Sequence, residues 1–168
     1  GRLERSAAAL LAEAAQLQDS GYVAIDLAAF LAAERDVQAT ALRQVTLSVS
    51  GADYASDLED ILLSISEQTL GARTRGGCLF QSLQGRLCVF REAAAIAAPV
   101  RVAPGWTGPW DRRFGLRVAG GRSTAEGWAI GALGEAGLRQ AVDRFGIRLR
   151  RHSMPLPARL ALPALWHG

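Results

Sequence analysis

The sequence predicts an α+β fold, a helical module over residues 1–70 followed by a smaller, basic, β-containing module over 71–168. Three observations predict it. Up to Leu70, apolar residues recur every three or four positions, as on the buried stripe of a helix. Beyond Gly71, glycine becomes frequent and short runs alternate apolar with polar residues, as strands do. Charge changes sign at the same place. Residues 1–70 hold 4 Arg against 11 Asp and Glu, and residues 71–168 hold 15 Arg against 5, balances of −7 and +10 that make up the net +3.

The elements follow in order. Residues 3–18 read as an amphipathic helix carrying Leu3, Ala7, Leu10, Leu11, Ala14 and Leu17, stopped at Asp19-Ser20-Gly21. A short extended lead-in at "YVAID" brings the chain to Asp26, a plausible N-cap for a helix over 27–33. A third helix is expected at about 36–49, with Leu42, Val45 and Val49 on one stripe and Gly51 just past its end. "ASDLEDILLSISEQTL" gives a fourth, capped by Ser56 or Asp57, with Leu58, Ile61, Leu62 and Ile65 inward. The first 70 residues are thus expected to be helical.

"CLFQSLQGRLCVFR" reads as a hairpin turning on Gln84-Gly85. That register pairs Leu83 with Arg86 and Gln81 with Cys88. It places Cys78 with Phe80, Leu87 and Val89 on one face and Cys88 on the other, so the two thiols stay reduced. Further short strands are expected at 99–102, 113–118 and 128–130, and a late helix at 135–145. The end, "MPLPARLALPALWHG", is expected to be extended or a short capped helix.

Apolar residues make up 49% and charged residues 21% of 168, which suits a globular protein with a sizeable core. No run of eighteen apolar residues is present, so no membrane span is expected and a cytoplasmic protein with reduced cysteines fits best. Met154 is the only methionine, and the chain is expected to be a piece of a longer protein. All 19 basic residues are arginine, whose planar fork grips phosphates and stacks on bases. An acidic part followed by a strongly basic one points to a polyanionic partner for the second.

"VTLSVSGADYAS" echoes the SGGxDS loop with which PP-loop ATPases cradle pyrophosphate. Ala52 stands where the second glycine is needed, and the preceding residues fit a helical stripe. The stretch is read as a helix–helix turn with a cap. His152 and His167 have no ligand or triad partner at useful spacing, and Cys78 and Cys88 match no zinc pattern, so neither a catalytic residue nor a metal site is assigned.

Two clusters remain. In "ARTRGGCLFQ" and "GRLCVFRE", Arg73, Arg75, Arg86 and Arg91 surround a glycine pair and the hairpin. This is a phosphate-gripping ribbon, or a solvated hairpin whose Arg91 pairs with Glu92 or another acid. In "PGWTGPWDRRFGLR", Trp106, Trp110 and Phe114 interleave with Arg112, Arg113 and Arg117. Stacking of bases on such aromatics contributes roughly 1–3 kcal/mol each, although Trp110 is expected in the core. The residues assigned to RNA are Arg75, Arg86, Arg91, Arg112 and Arg113 as phosphate ligands and Trp106 as a stacking platform.

Taken in order, "TRGGCLFQSLQGRLCVFREAA", "WDRRFGLRV", "IGALGEAGL" and "LPARLALPALW" resemble the C-terminal region of bacterial tRNA(Ile)-lysidine synthetases, in the alphaproteobacterial form. The resemblance covers about 70–168; residues 1–69 are similar, more weakly, to the helical region after the catalytic domain. Those enzymes use ATP to adenylate the wobble cytidine of an isoleucine tRNA with anticodon CAU, and lysine then displaces AMP. The resemblance implies a non-catalytic, tRNA-recognising part, with no cofactor of its own. ATP and Mg²⁺ would belong to an absent PP-loop catalytic domain, itself a partner. The alternative is a structural module that packs on that domain or forms a homodimer without touching RNA.

Overall fold

The computed structural model describes residues 1–18, 21–118 and 128–132. Helices and antiparallel strands are both present, so the fold is α+β. By internal contacts the chain divides after Ala95, into a unit of Gly1–Ala95 and a second that begins at Ile96.

Helix α1 (Arg2–Ala14) gives way to strand β1 (Ala15–Leu17), and β2 (Val23–Asp26) returns beside it with Ala15 opposite Ile25. The Asp26 carboxylate accepts a hydrogen bond from the Ala29 amide at 2.8 Å and caps α2 (Leu27–Ala32), as its position before an apolar run suggests. Helix α3 (Arg35–Ser50) follows at once. The corner between them is closed by Gln38, whose side-chain amide donates to the carbonyls of Ala33 and Leu31 at 2.8 and 3.3 Å. Gly51, at φ 63°, ends α3 by donating to the Leu47 carbonyl, and the Ser50 hydroxyl accepts from the Ala52 amide. The stretch that echoes a phosphate loop therefore spans the last turns of a helix and its C-cap. Helix α4 (Glu59–Ser66) turns Ile61, Leu62 and Ile65 inward; the Asp57 carboxylate accepts from the Glu59 amide just before it.

Strands β3 (Arg73–Arg75), β4 (Cys78–Leu83) and β5 (Arg86–Arg91) complete an antiparallel sheet in the order β1-β2-β5-β4-β3. Gly76-Gly77 joins β3 to β4, and Gln84-Gly85 joins β4 to β5. All four turn residues have positive φ, as two-residue hairpin loops of the twisted type demand. The register pairs Leu83 with Arg86 and Gln81 with Cys88, as the sequence predicts, and it sets Cys78 opposite Arg91. Cys78, Phe80, Leu87 and Val89 join Val23, Ile25, Leu42, Val45, Val49 and Ile61 in one core between sheet and helices. Cys88 lies on the opposite face with Phe90, whose ring meets Tyr22 at 4.8 Å, and both cysteines are free.

Two expectations need correction. The first 70 residues are not all helix: β1 replaces the last turn of the expected 3–18 helix, and β2 pairs with β5, Ile25 opposite Leu87. Leu17 fits the helical stripe only in sequence; in the fold it is 76% exposed on an edge strand. The expected boundary at Gly71 also lies inside the first unit, because that unit's sheet draws strands from both sides of it. The change in charge at Gly71 marks a change of surface and not of chain topology.

In the second unit, β6 (Val100–Val102) pairs with β9 (Trp128–Ile130), and β7 (Thr107–Trp110) with β8 (Phe114–Arg117). The late helix expected at 135–145, the proline-bearing end and both histidines lie outside the described residues.

Candidate nucleic-acid interface

The arginines of the first unit are spread along its hairpins. Arg75 ends β3, opposite Cys78, and Arg86 begins β5, opposite Leu83. Those positions are five residues apart along β4, or about 17 Å, so the two guanidiniums do not share one site. Arg75 is exposed and donates from Nη2 to Asp60 Oδ2 at 2.7 Å. Arg86, also exposed, donates to the Gln16 side-chain oxygen at 3.1 Å across the outer face of the sheet. Arg91 is 8% exposed and donates to the Ala95 carbonyl at 2.6 Å, under the short turn of Ala93–Ala95. Its guanidinium fixes the chain after β5 and packs so closely that a Cβ on Gly77 would lie 3.0 Å from Nη1.

The second unit presents its arginines on the β7–β8 hairpin. The loop is Asp111-Arg112-Arg113, with φ of 53° at Asp111 and 57° at Arg112. Asp111 holds this loop in place. One carboxylate oxygen accepts from the Ala97 amide at 2.9 Å, and the other accepts from Arg113 Nε at 3.0 Å. The side chains of this ion pair are 6% exposed for Arg113 and 1% for Asp111. The Arg113 guanidinium also lies 4.8 Å over the Phe114 ring, which stacks in turn on Trp110. Arg113 is therefore engaged within the fold. Arg112, between the two, is exposed at the tip and has no ion pair or hydrogen-bonded partner among the described residues.

The two faces of this hairpin differ. Trp110 and Leu116 are buried on one, where Trp110 donates from Nε1 to the Ala98 carbonyl at 3.4 Å, so Trp110 is core as expected. Trp106 is half-buried on the same side. Its ring covers Gly108 so tightly that a Cβ there would lie 2.5 Å from Cζ2. Thr107, Pro109, Gly115 and Arg117 form the other face and are all exposed.

Of the six residues assigned from sequence, Arg75, Arg86 and Arg112 are exposed. Arg91 and Arg113 are bonded inside the fold, and Trp106 offers only part of its ring. Arg73 and Arg117, members of the two sequence clusters but not among the six assigned, are both exposed on strands without an ion-paired partner among the described residues. Alternation in "RTR" and "FGLR" was the signal that could have found them.

The Arg75 guanidinium, through its hydrogen bond and its charge, holds the Asp60 carboxyl below the usual carboxylate range, and Asp60 in turn raises Arg75. Burial pushes the Cys88 thiol up, against the nearby charge of Arg86, and it likewise raises Tyr22. A cavity of about 160 Å³ in the first unit is lined by Leu27, Ile65, Gln68, Leu70 and Ser82, with no charged group among the described residues that line it. Among the described residues no three metal-ligating side chains converge, and no helix is long and apolar enough to cross a membrane. Comparison with protein-family models, with curated proteins and with solved structures returns no match to this chain.

Proposed function

We propose that this chain is the non-catalytic, tRNA-gripping part of an enzyme similar to the tRNA(Ile)-lysidine synthetases, acting in the cytoplasm on an isoleucine tRNA with anticodon CAU. The observation that supports it best is Arg112, an exposed guanidinium held out at a hairpin tip whose flanking residues are locked by a buried ion pair. With the backbone at Arg112 already held, only side-chain freedom is lost on meeting a phosphate, and the planar fork of the guanidinium suits bidentate contact. Arg117, Arg73, Arg75 and Arg86 would add phosphate contacts, while Trp106 would offer the exposed part of its ring to a base. ATP, Mg²⁺ and lysine would be handled by a separate PP-loop domain, and this part would need no cofactor.

A second reading is favoured by one observation. Leu17 stands 76% exposed on β1, an edge strand with no further strand beside it among the described residues, the arrangement that invites strand-to-strand association with another copy or with the catalytic domain.

Titration against isoleucine tRNA with the CAU anticodon, beside methionine tRNA with the same anticodon, over a salt series separates the two. Preference for the isoleucine tRNA, with affinity that falls steeply as salt rises, is the expected result. Equal binding to both would reduce the chain to an electrostatic handle. Salt-insensitive self-association without RNA binding at low salt would overturn the tRNA assignment in favour of the structural one.

A further inference from the structure

Strand β3 forms one of the two edges of the first unit's sheet, with no further strand beside it among the described residues, and it carries two arginines side by side. Arg73 faces Phe80 and Arg75 faces Cys78 across the ladder, so both project to the side on which the helices pack. Their Cα atoms are about 7 Å apart, close enough for two long side chains to converge on one phosphate. Arg73 is exposed and has no ion-paired partner among the described residues. Arg75 is already occupied. The Asp60 carboxylate, in the first turn of α4, receives its Nη2 hydrogen bond at 2.7 Å, with the two side chains 47% and 43% exposed. Asp57 adds a second negative charge near the same guanidinium.

We propose that the β3 edge is a binding surface for the phosphates of single-stranded RNA, formed by Arg73 and Arg75, and that Asp60 is its internal competitor. The proposal rests on the tRNA-gripping reading and deepens it, joining two of its arginines into one contact surface and setting a limit on its strength. Asp60 occupies the Arg75 fork as a phosphate oxygen would. Binding therefore exchanges one anion for another at Arg75, while Arg73 supplies the uncompensated charge. An exposed ion pair is weak enough to exchange readily. The carboxylate also lowers the net charge of the edge, so sequence-independent affinity stays low. Phosphate is favoured over an acidic peptide because residues 71–168 hold 15 Arg against 5 acids, and the described exposed ones (Arg73, Arg75, Arg86, Arg101, Arg112 and Arg117) lie on several different strands and turns, as contact with a long polyanion requires.

The test is fluorescence anisotropy of labelled polyuridylate over a potassium chloride series, with polyglutamate measured in parallel. The proteins are the full chain, Asp60→Asn, Asp60→Ser, Arg75→Gln and Asp60→Asn with Arg75→Gln. Removing the Asp60 charge by either substitution is expected to tighten RNA binding roughly two- to fivefold, the factor that an exposed ion pair represents. It is also expected to steepen the salt dependence by about 0.7 in log–log slope, as one more phosphate contact would. Both effects should vanish in the Arg75→Gln background, and Asp60→Glu should restore the original affinity. If the parent chain binds RNA but both Asp60 variants match it, the competitor role is wrong and the tRNA reading stands. An equal gain without Arg75 would reduce the effect to overall charge and overturn the proposal. Polyglutamate matching RNA in affinity and in its response to Asp60 would replace the phosphate partner with an acidic protein. Failure of the parent and of both variants to bind RNA at low salt would overturn both readings together.

Discussion

Asp111 and Arg113 form a buried ion pair at 3.0 Å across a loop that has only Arg112 between them. The same carboxylate accepts the Ala97 amide, so one acid ties the hairpin tip to the strand-free segment before Val100. Removing one member of a buried pair leaves the other charge without compensation. Asp111→Asn is therefore expected to cost roughly 3–5 kcal/mol in urea unfolding, followed by tryptophan emission. A loss below about 1 kcal/mol would place the pair in the range of exposed ones and remove the argument that the backbone at Arg112 is rigidly held.

The two hairpin turns of the first unit separate backbone strain from steric crowding. Gly85 has φ of 75° with open space where a Cβ would go, whereas Gly77 has φ of 74° with Arg91 Nη1 only 3.0 Å from that position. Gly85→Ala should cost about 1–2 kcal/mol, the strain of a left-handed alanine. Gly77→Ala should cost more, since Arg91 must also shift. Equal losses in thermal melts would show that Arg91 yields freely.

Trp106 and Gly108 make a sharper contact. A methyl group at Gly108 would meet the indole at 2.5 Å, so Gly108→Ala should displace the ring. The expected signs are a red-shifted tryptophan emission and a loss of about 1–3 kcal/mol, as for other overpacked sites. Unchanged emission would mean that the backbone moves instead.

Cys88 offers a chemical probe of the outer sheet face. Its thiol is raised by burial, so less thiolate exists near neutral pH than for an ordinary cysteine. Labelling by iodoacetamide should be slow in the folded protein, rise with pH above neutrality, and become fast for both Cys78 and Cys88 in urea. Rapid labelling of Cys88 at neutral pH would contradict its burial.

The Asp60–Arg75 pair has a defined acid signature. Asp60 has a depressed folded-state pKa, so its contribution to stability is present above the unfolded value, about 3.9, and is lost as pH falls through the folded one. Melting temperatures of the parent and of Asp60→Asn should differ slightly at neutral pH and converge in acid. A gap that widens in acid would assign Asp60 some other role.

Much of the first unit could be read from sequence because its local signals agree with one another. The Gln84-Gly85 turn, the alternation of Cys78, Phe80, Leu87 and Val89, and the Asp26 cap each have a short-range cause. Residues 15–17 escaped, since three residues carry too little periodicity to separate strand from helix; residues 23–26 were legible as an extended lead-in, but their pairing with distant β5 has no local signal. The candidate interface was less legible. Arginine content marks a basic surface, but whether a guanidinium faces solvent depends on acids and carbonyls supplied by tertiary contact. Arg91 and Arg113 look like Arg73 and Arg112 in the sequence; Ala95 and Asp111 set them apart in the fold.

The placement of β2 beside β5 also bears on how the chain becomes a folded protein. Val23 and Ile25 pair early with β1 but gain their β5 partners only when Leu87 and Val89 have been synthesised, so the helices of the first unit cannot close their core during most of its translation. Pairing across so long a loop slows folding and keeps apolar strand edges open to other chains meanwhile. A polypeptide ended at the charge switch near Gly71 would lack β3, β4 and β5 altogether, and would emerge as aggregate. One ended after Ala95 would retain every strand of that sheet and the core packed against it.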